Sequence, residues 1–171
     1  YLKSLGANML PTVEEFFIHK PAIVIFTWNM LVDNSIVNLA KKYNIIMLAS
    51  VQLAEYTKGK LFLDASILSN AKQIKEQLEN LFLMRTVYTE ELDEKSKYYC
   101  HPFRLKKVND KWIEEEYKPD TSAVWRMVFT EKCRTGANSS DNGCAYLLKY
   151  DGDHCIFRET CQCRPKHGEI K

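Results

Sequence analysis

No apolar run in this chain approaches the roughly 18 to 20 residues that span a bilayer, and residues 1–6 lack the basic-then-apolar pattern of a secretory leader. Nothing in the sequence points to a membrane or to export. A starting Met is missing as well, and an element is already under way at Tyr1, so we expect a longer chain whose neighbours carry any catalytic activity. Charge is nearly balanced: 24 Lys and Arg against 22 Asp and Glu leave +2, too small for a whole-domain nucleic-acid footprint. Such binding has to come from a local patch, and residues 100–171, with 13 basic against 11 acidic side chains, are only slightly basic. Cysteine is absent until Cys100; all six (Cys100, Cys133, Cys144, Cys155, Cys161 and Cys163) fall in the last 72 residues. A secreted disulfide module has such a cluster, and Asn138 with Ser140 fits a glycosylation acceptor. The cysteine-free first half, with its intracellular α/β pattern, argues instead for free thiols.

What is present is ordinary globular material. The 171 residues are 46% hydrophobic and 27% charged, which excludes global disorder and collagen-like or low-complexity classes and leaves room for one large domain or two small ones. Residues 21–27 form a short apolar run with β-branched Ile23, Val24 and Ile25, the signature of a strand buried on both faces of a sheet. Asp33, Asn34 and Ser35 supply N-cap chemistry for a helix in which Ile36, Val37, Leu39 and Ala40 recur at helical spacing, and Lys41, Lys42, Tyr43 and Asn44 close it. Ile45 to Leu48 read as a second buried strand, and Ser50 caps a further helix through Leu53, Ala54 and Tyr56 that ends near Gly59. Upstream, residues 1–6 read as a helix end and Met9 with Leu10 as the start of a strand. The order strand, helix, strand, helix predicts parallel neighbours in a small three-layer α/β unit.

From Asp64 to about Leu83, Ile67, Leu68, Ile74, Leu78, Leu81 and Phe82 fall near a helical stripe, and Glu90 to Lys97 is a charge run of the kind that forms solvated linkers. Beyond Tyr99 the texture changes to strands and turns. Residues 123–129, 145–150 and 155–158 read as strands, 136–143 as a long polar loop and 150–153 as a tight hairpin turn. The predicted fold class is therefore α/β: a small parallel-sheet domain over residues 1–70, a charged helical linker over 71–99, and an antiparallel β-rich, Cys-containing domain over 100–171.

The order of elements in the first 70 residues resembles a BRCT domain: Leu5, Gly6 and Ala7 at a helix end where that family carries a Gly pair, a strand at 22–26, a helix at 35–43, a strand at 45–48 and a helix at 51–57. The position where a Trp anchors the family's last helix falls on Leu53. Asn44 to Leu48 and Leu61 to Ser69 are most similar to the BRCT of DNA-dependent poly(ADP-ribose) polymerases. In that class a WGR domain follows, and Val124 to Val128, Tyr146 to Tyr150 and Ile156 to Arg158 resemble a degenerate one. The Trp-Gly-Arg signature falls on Thr160, Cys161 and Gln162, so the groups that stack on and pair with a DNA end in the family do not carry over. The polymerase domain is absent from these residues. Within the family, phosphopeptide binding uses a Lys near the second helix, which makes Lys42, or Lys41 beside it, the candidate here; both equally complement a helix dipole.

Arg104, Lys106, Lys107 and Lys111, with Arg158, Arg164, Lys166 and Lys171, could converge as a phosphate-contacting face interleaved with Tyr99, Phe103 and Trp112, although Glu114, Glu115 and Glu116 follow at once. Cys155, Cys161, Cys163 and His167, with His154 and Cys144 nearby, are soft or borderline zinc ligands, but Cys-x-Cys strains a shared tetrahedral site and no second well-spaced pair exists. Free thiols are the default and no cofactor is required. His19, His101, His154 and His167 accompany no hydrolase motif, and Asp33 and Asp64, conceivable metal ligands of a nuclease, are equally helix caps. No catalytic residue is assigned. These observations lead us to expect a non-catalytic scaffolding or binding region of a nuclear DNA-repair or chromatin protein, working through protein partners and a basic patch as the candidate DNA-facing surface, without a membrane. The alternative is a regulatory subunit or partner-wrapping region that activates an enzyme such as a replication kinase.

Overall fold

A computed structural model describes residues 17–19, 21, 23–26, 34–50, 60–67 and 78–165. They fall into two compact units, residues 1–54 and 55–171. In the first, strand β1 (Ile23–Phe26) and strand β2 (Ile46–Ala49) pair in parallel with Ile23 opposite Ile46, and helix α1 (Asn34–Tyr43) connects them. Val37 and Ala40, three apart on one face of α1, are buried. The helix ends as its sequence demands. Asn44 takes the left-handed conformation at φ 55°, Ile45 N–H donates to Ala40 O at 2.9 Å and Asn44 N–H to Lys41 O at 3.2 Å, the paired bonds of a Schellman cap. The two strands depart from the expected burial on both faces: Ile23, Ile25, Ile46 and Leu48 share one face and are each more than half exposed. The elements expected in residues 1–10 and 51–59 lie outside the described residues.

The second unit is a six-stranded antiparallel sheet in the order β3-β6-β7-β8-β4-β5. Its strands are β3 (Asn80–Thr86), β4 (Pro102–Val108), β5 (Lys111–Glu116), β6 (Val124–Cys133), β7 (Ala145–Asp151) and β8 (Ile156–Cys163). Period-two alternation sends Trp125, Met127 and Phe129 of β6, Leu147 of β7, and Cys161 and Cys163 of β8 to one buried face. Met127, Phe129 and Leu147, fully buried, each contribute on the order of 1.5–3 kcal/mol of transfer free energy. Leu63, Ala65 and Ile67 of the segment 60–67 are buried too, and the Phe62 ring meets Phe129 with centroids 4.8 Å apart. That segment, read from the sequence as part of the first unit, thus packs in the second. Asp64 caps its 3-10 turn Ala65–Ile67 by accepting from Ser66 N–H at 2.7 Å.

Two turns are set by backbone chemistry. Asn109 and Asp110, at φ 48° and 63°, make the two-residue β4–β5 turn with positive φ at both positions. Within the expected polar loop, helix α2 (Ser139–Asn142) stops at Gly143, φ 66°, and Ser139 Oγ accepts from Thr130 N–H at 2.9 Å. The β7–β8 connection occupies residues 152–155, slightly later than the hairpin turn expected at 150–153.

The helical linker expected over 71–99 is corrected wherever its residues are described. Asn80–Thr86 is a strand paired with β6, and Thr89–Glu91 is a 3-10 turn. The reason is Arg85. Its guanidinium, 9% exposed, bonds both carboxylate oxygens of Glu91 at 2.7 Å, and it also donates to the carbonyls of Leu61 and Thr86 and to Met127 Sδ. Glu91, 1% exposed, also accepts from Tyr88 N–H at 2.9 Å, and its carbonyl accepts from Cys100 N–H. The pairing of β3 with β6, which sets Arg85 opposite Met127, brings these groups together. Removing one partner leaves a buried charge uncompensated, so Arg85→Met and Glu91→Gln each lower stability by about 3–5 kcal/mol. Urea unfolding reads this as a fall in midpoint, and the double replacement by apolar residues of similar volume recovers much of the loss.

Candidate binding face

The alternation that buries one face of the six-stranded sheet presents the other to solvent. By register, Phe82 and Met84 of β3, Val124 of β6, Phe157 of β8, Leu105 of β4 and Trp112 of β5 all point to that second face. They are 45–67% exposed. Tyr150 stands among them, its ring 4.9 Å from that of Phe157, with the Arg126 guanidinium 5.8 Å away. Scattered exposed apolar residues are normal on any protein; these are collected on one sheet face.

At the β4–β8 end the same face opens into a cleft of about 360 Å³ lined by Tyr99, His101, Pro102, Phe103, Glu114, Glu116 and Arg164. His101 sits at φ 46° with its ring edge-on to Tyr99, centroids 4.7 Å apart. Arg164 lies 4.4 Å over the Phe103 ring and grips Glu114 through both carboxylate oxygens. That hydrogen bonding, more than the ion's field, holds the Glu114 carboxyl below its ordinary range. Burial, and then the neighbouring Glu116 and Glu94 carboxylates, push the Tyr99 phenol up to about 12. The cleft therefore offers aromatic walls and charges already matched to one another.

The basic residues expected to converge do not form one face. Register places Arg104, Lys106, Lys111 and Arg158 on the side of the sheet opposite Lys107 and Arg164. Arg104 donates to Thr160 O at 2.7 Å and lies 4.1 Å over the Tyr117 ring. Lys106 pairs with Glu115 at 3.3 Å and Lys107 with Asp110 at 2.8 Å. Lys111 and Arg158 are exposed, and Lys166 and Lys171 lie outside the described residues. Lys42 is in the last turn of α1 with its ammonium 5.1 Å from the Tyr43 ring. Sequence reasoning passed over Arg126; the alternation of β6, which sets it beside Tyr150, was the available signal.

Nor does β8 assemble the zinc set. Cys155, exposed at φ 51° in the turn before β8, stands roughly 25 Å along an extended strand from Cys163, eight residues on. Cys161 and Cys163 are buried and His167 lies outside the described residues, among which no group of three His, Cys, Asp or Glu is placed to hold a metal. The Cys163 thiol, free like that of Cys100, is hydrogen-bonded to it, and this with burial raises its pKa well above the ordinary range, while burial pushes Cys161 up to about 12. Cys133 is the reverse case: the Thr135 backbone N–H and hydroxyl, with the Gly136 N–H, stabilise its thiolate and lower its pKa. No family model, no curated protein and no solved structure matches this chain.

Two outcomes follow from these ionisations. In the native protein at mildly alkaline pH, Cys133 reacts readily with a thiol reagent and Cys161 and Cys163 react only after unfolding, as peptide mapping by mass spectrometry will show. Cys161 and Tyr99 hold their protons up to about 12 in the folded chain, against ordinary values of 9.0 and 10.0. Their contribution to stability is therefore full below about pH 9 and is lost as pH rises from there towards 12. A melting temperature that stays flat across that window contradicts the assignment.

Proposed function

We propose that this chain is a non-catalytic binding region that works through protein contacts, with the open face of the six-stranded sheet as its contact surface. The observation that carries the reading is the collection of Phe82, Met84, Leu105, Trp112, Val124 and Phe157 on one solvent-facing side. Tyr150 and Arg126 add an amphipathic aromatic and a guanidinium, residue types that interfaces favour. A protein partner is preferred to a nucleic acid because Lys106, Lys107 and Arg164 are engaged with carboxylates of their own chain. A nuclear repair or chromatin setting rests on the BRCT resemblance of the first unit, with which a helix joining two parallel strands is compatible. The same open face is what the alternative, a partner-wrapping region that activates an enzyme, needs to present.

The test compares wild-type chain with a Phe82→Glu/Phe157→Glu variant, whose replaced side chains face solvent, in affinity capture and in a salt series on a nicked duplex. Partners held by wild type and lost by the variant, with duplex binding weak at all salt concentrations, are the expected result. A log–log salt slope of several units that Lys106→Glu and Lys107→Glu abolish sinks the reading in favour of nucleic acid.

A further inference from the structure

Strand β5 ends the sheet and, among the described residues, pairs only with β4; all its side chains are exposed. An edge strand carries unpaired N–H and C=O groups, which proteins commonly blunt with charge. Glu114, Glu115 and Glu116 could serve that purpose. Two of these charges are matched inside the chain, however: Arg164 grips Glu114 and Lys106 lies 3.3 Å from Glu115, while Glu116 is hydrogen-bonded by the neutral Tyr99 hydroxyl. Between Lys111 and those acids stand two large apolar side chains, Trp112 at 67% exposed and Ile113 at 46%.

The backbone fixes how another strand could join. Tyr117 N–H donates to Pro102 O at 3.0 Å, so the odd positions of β5 turn their backbone groups towards β4 and the even positions 112, 114 and 116 turn theirs outward. A two-fold antiparallel pairing must set outward positions opposite outward positions. Centred on Glu114, it places Glu114 against its own copy and Ile113 against Glu115. Centred on Ile113, it places Ile113 against Ile113, Trp112 against Glu114 with its Arg164, and Lys111 against Glu115. In that register, one side of the ribbon carries an apolar centre flanked by two ion pairs. Its outer ends bring Asp110, paired with Lys107 of its own chain, near Glu116 of the second copy, whose field is also felt by Lys118, itself paired with Glu94.

We propose that β5 is a self-association edge, pairing antiparallel with β5 of a second copy of this chain in the register centred on Ile113. One strand pair is a small interface, so the dimer is weak, with a Kd on the order of 10–100 μM. Sedimentation velocity of the full chain over a concentration series reads it directly. Lys111→Glu and Glu115→Lys each bring like charges face to face and raise Kd by about tenfold when measured alone. An equimolar mixture of the two variants restores dimer, because each Glu of one copy then meets a Lys of the other. A wild type that stays monomeric throughout, a dimer indifferent to both substitutions, or a mixture that fails to associate overturns the proposal.

Discussion

The buried pair of Arg85 and Glu91 is the constraint on which the second unit depends. A guanidinium placed under a sheet must be neutralised and must find acceptors for its remaining N–H groups, because an isolated charge is far too costly to bury. Glu91 supplies the neutralising carboxylate, the Leu61 and Thr86 carbonyls take further bonds, and the Phe129 ring lies 5.7 Å from the guanidinium carbon. One side chain thereby fixes three separate stretches: the segment 60–67, strand β3 and the 3-10 turn at Thr89–Glu91. Through the bond from Cys100 N–H to Glu91 O it also sets the approach to β4.

Closing one face in this way determines what remains on the other. On the buried side Phe62 meets Phe129 and Arg85 meets Met127, so the period-two rule sends the alternate positions of β6 to the other side. Polar side chains there would be the usual result for a half-solvated antiparallel sheet. Phe82, Met84, Leu105 and Trp112 depart from it, and no demand of the core accounts for their size. The proposed contact with a partner would account for it.

Strands β6 and β7 and the first residues of β8 were legible because their alternation is local and bounded by turn residues; residues 159–163 of β8 were not read as strand. Nor was strand β3. Leu78, Leu81 and Phe82 satisfy a helical stripe, while Leu81, Leu83 and Arg85 satisfy a strand equally well, and only pairing with β6, more than forty residues on, decides between them. Glu91 lay hidden in a charge run whose other acids are solvated, since nothing local distinguishes a carboxylate that will meet a distant Arg. The basic residues of β4 were visible, but their neutralisation depends on the register of the β4–β5 hairpin. The turn at Asn109 and Asp110 could have given that register, since both residue types tolerate positive φ. For the thiols, the i, i+2 spacing of Cys161 and Cys163 put both on one face; that this face is buried is a property of the whole sheet.

Under the proposed binding role, the hairpin's internal pairing also bears on how a partner is chosen. Lys106 with Glu115, Lys107 with Asp110 and Arg164 with Glu114 turn what could have been a field of one sign into short dipoles. Beyond about 8–10 Å, the screening distance at physiological salt, such dipoles exert little pull, so an approaching molecule is not steered by them. Recognition then falls to groups that act only on contact: backbone edges, aromatic faces and the matched charges read in one register. Selectivity of that kind resides in dissociation rather than in encounter, and it suits a surface whose apolar side chains are held on strands rather than loops.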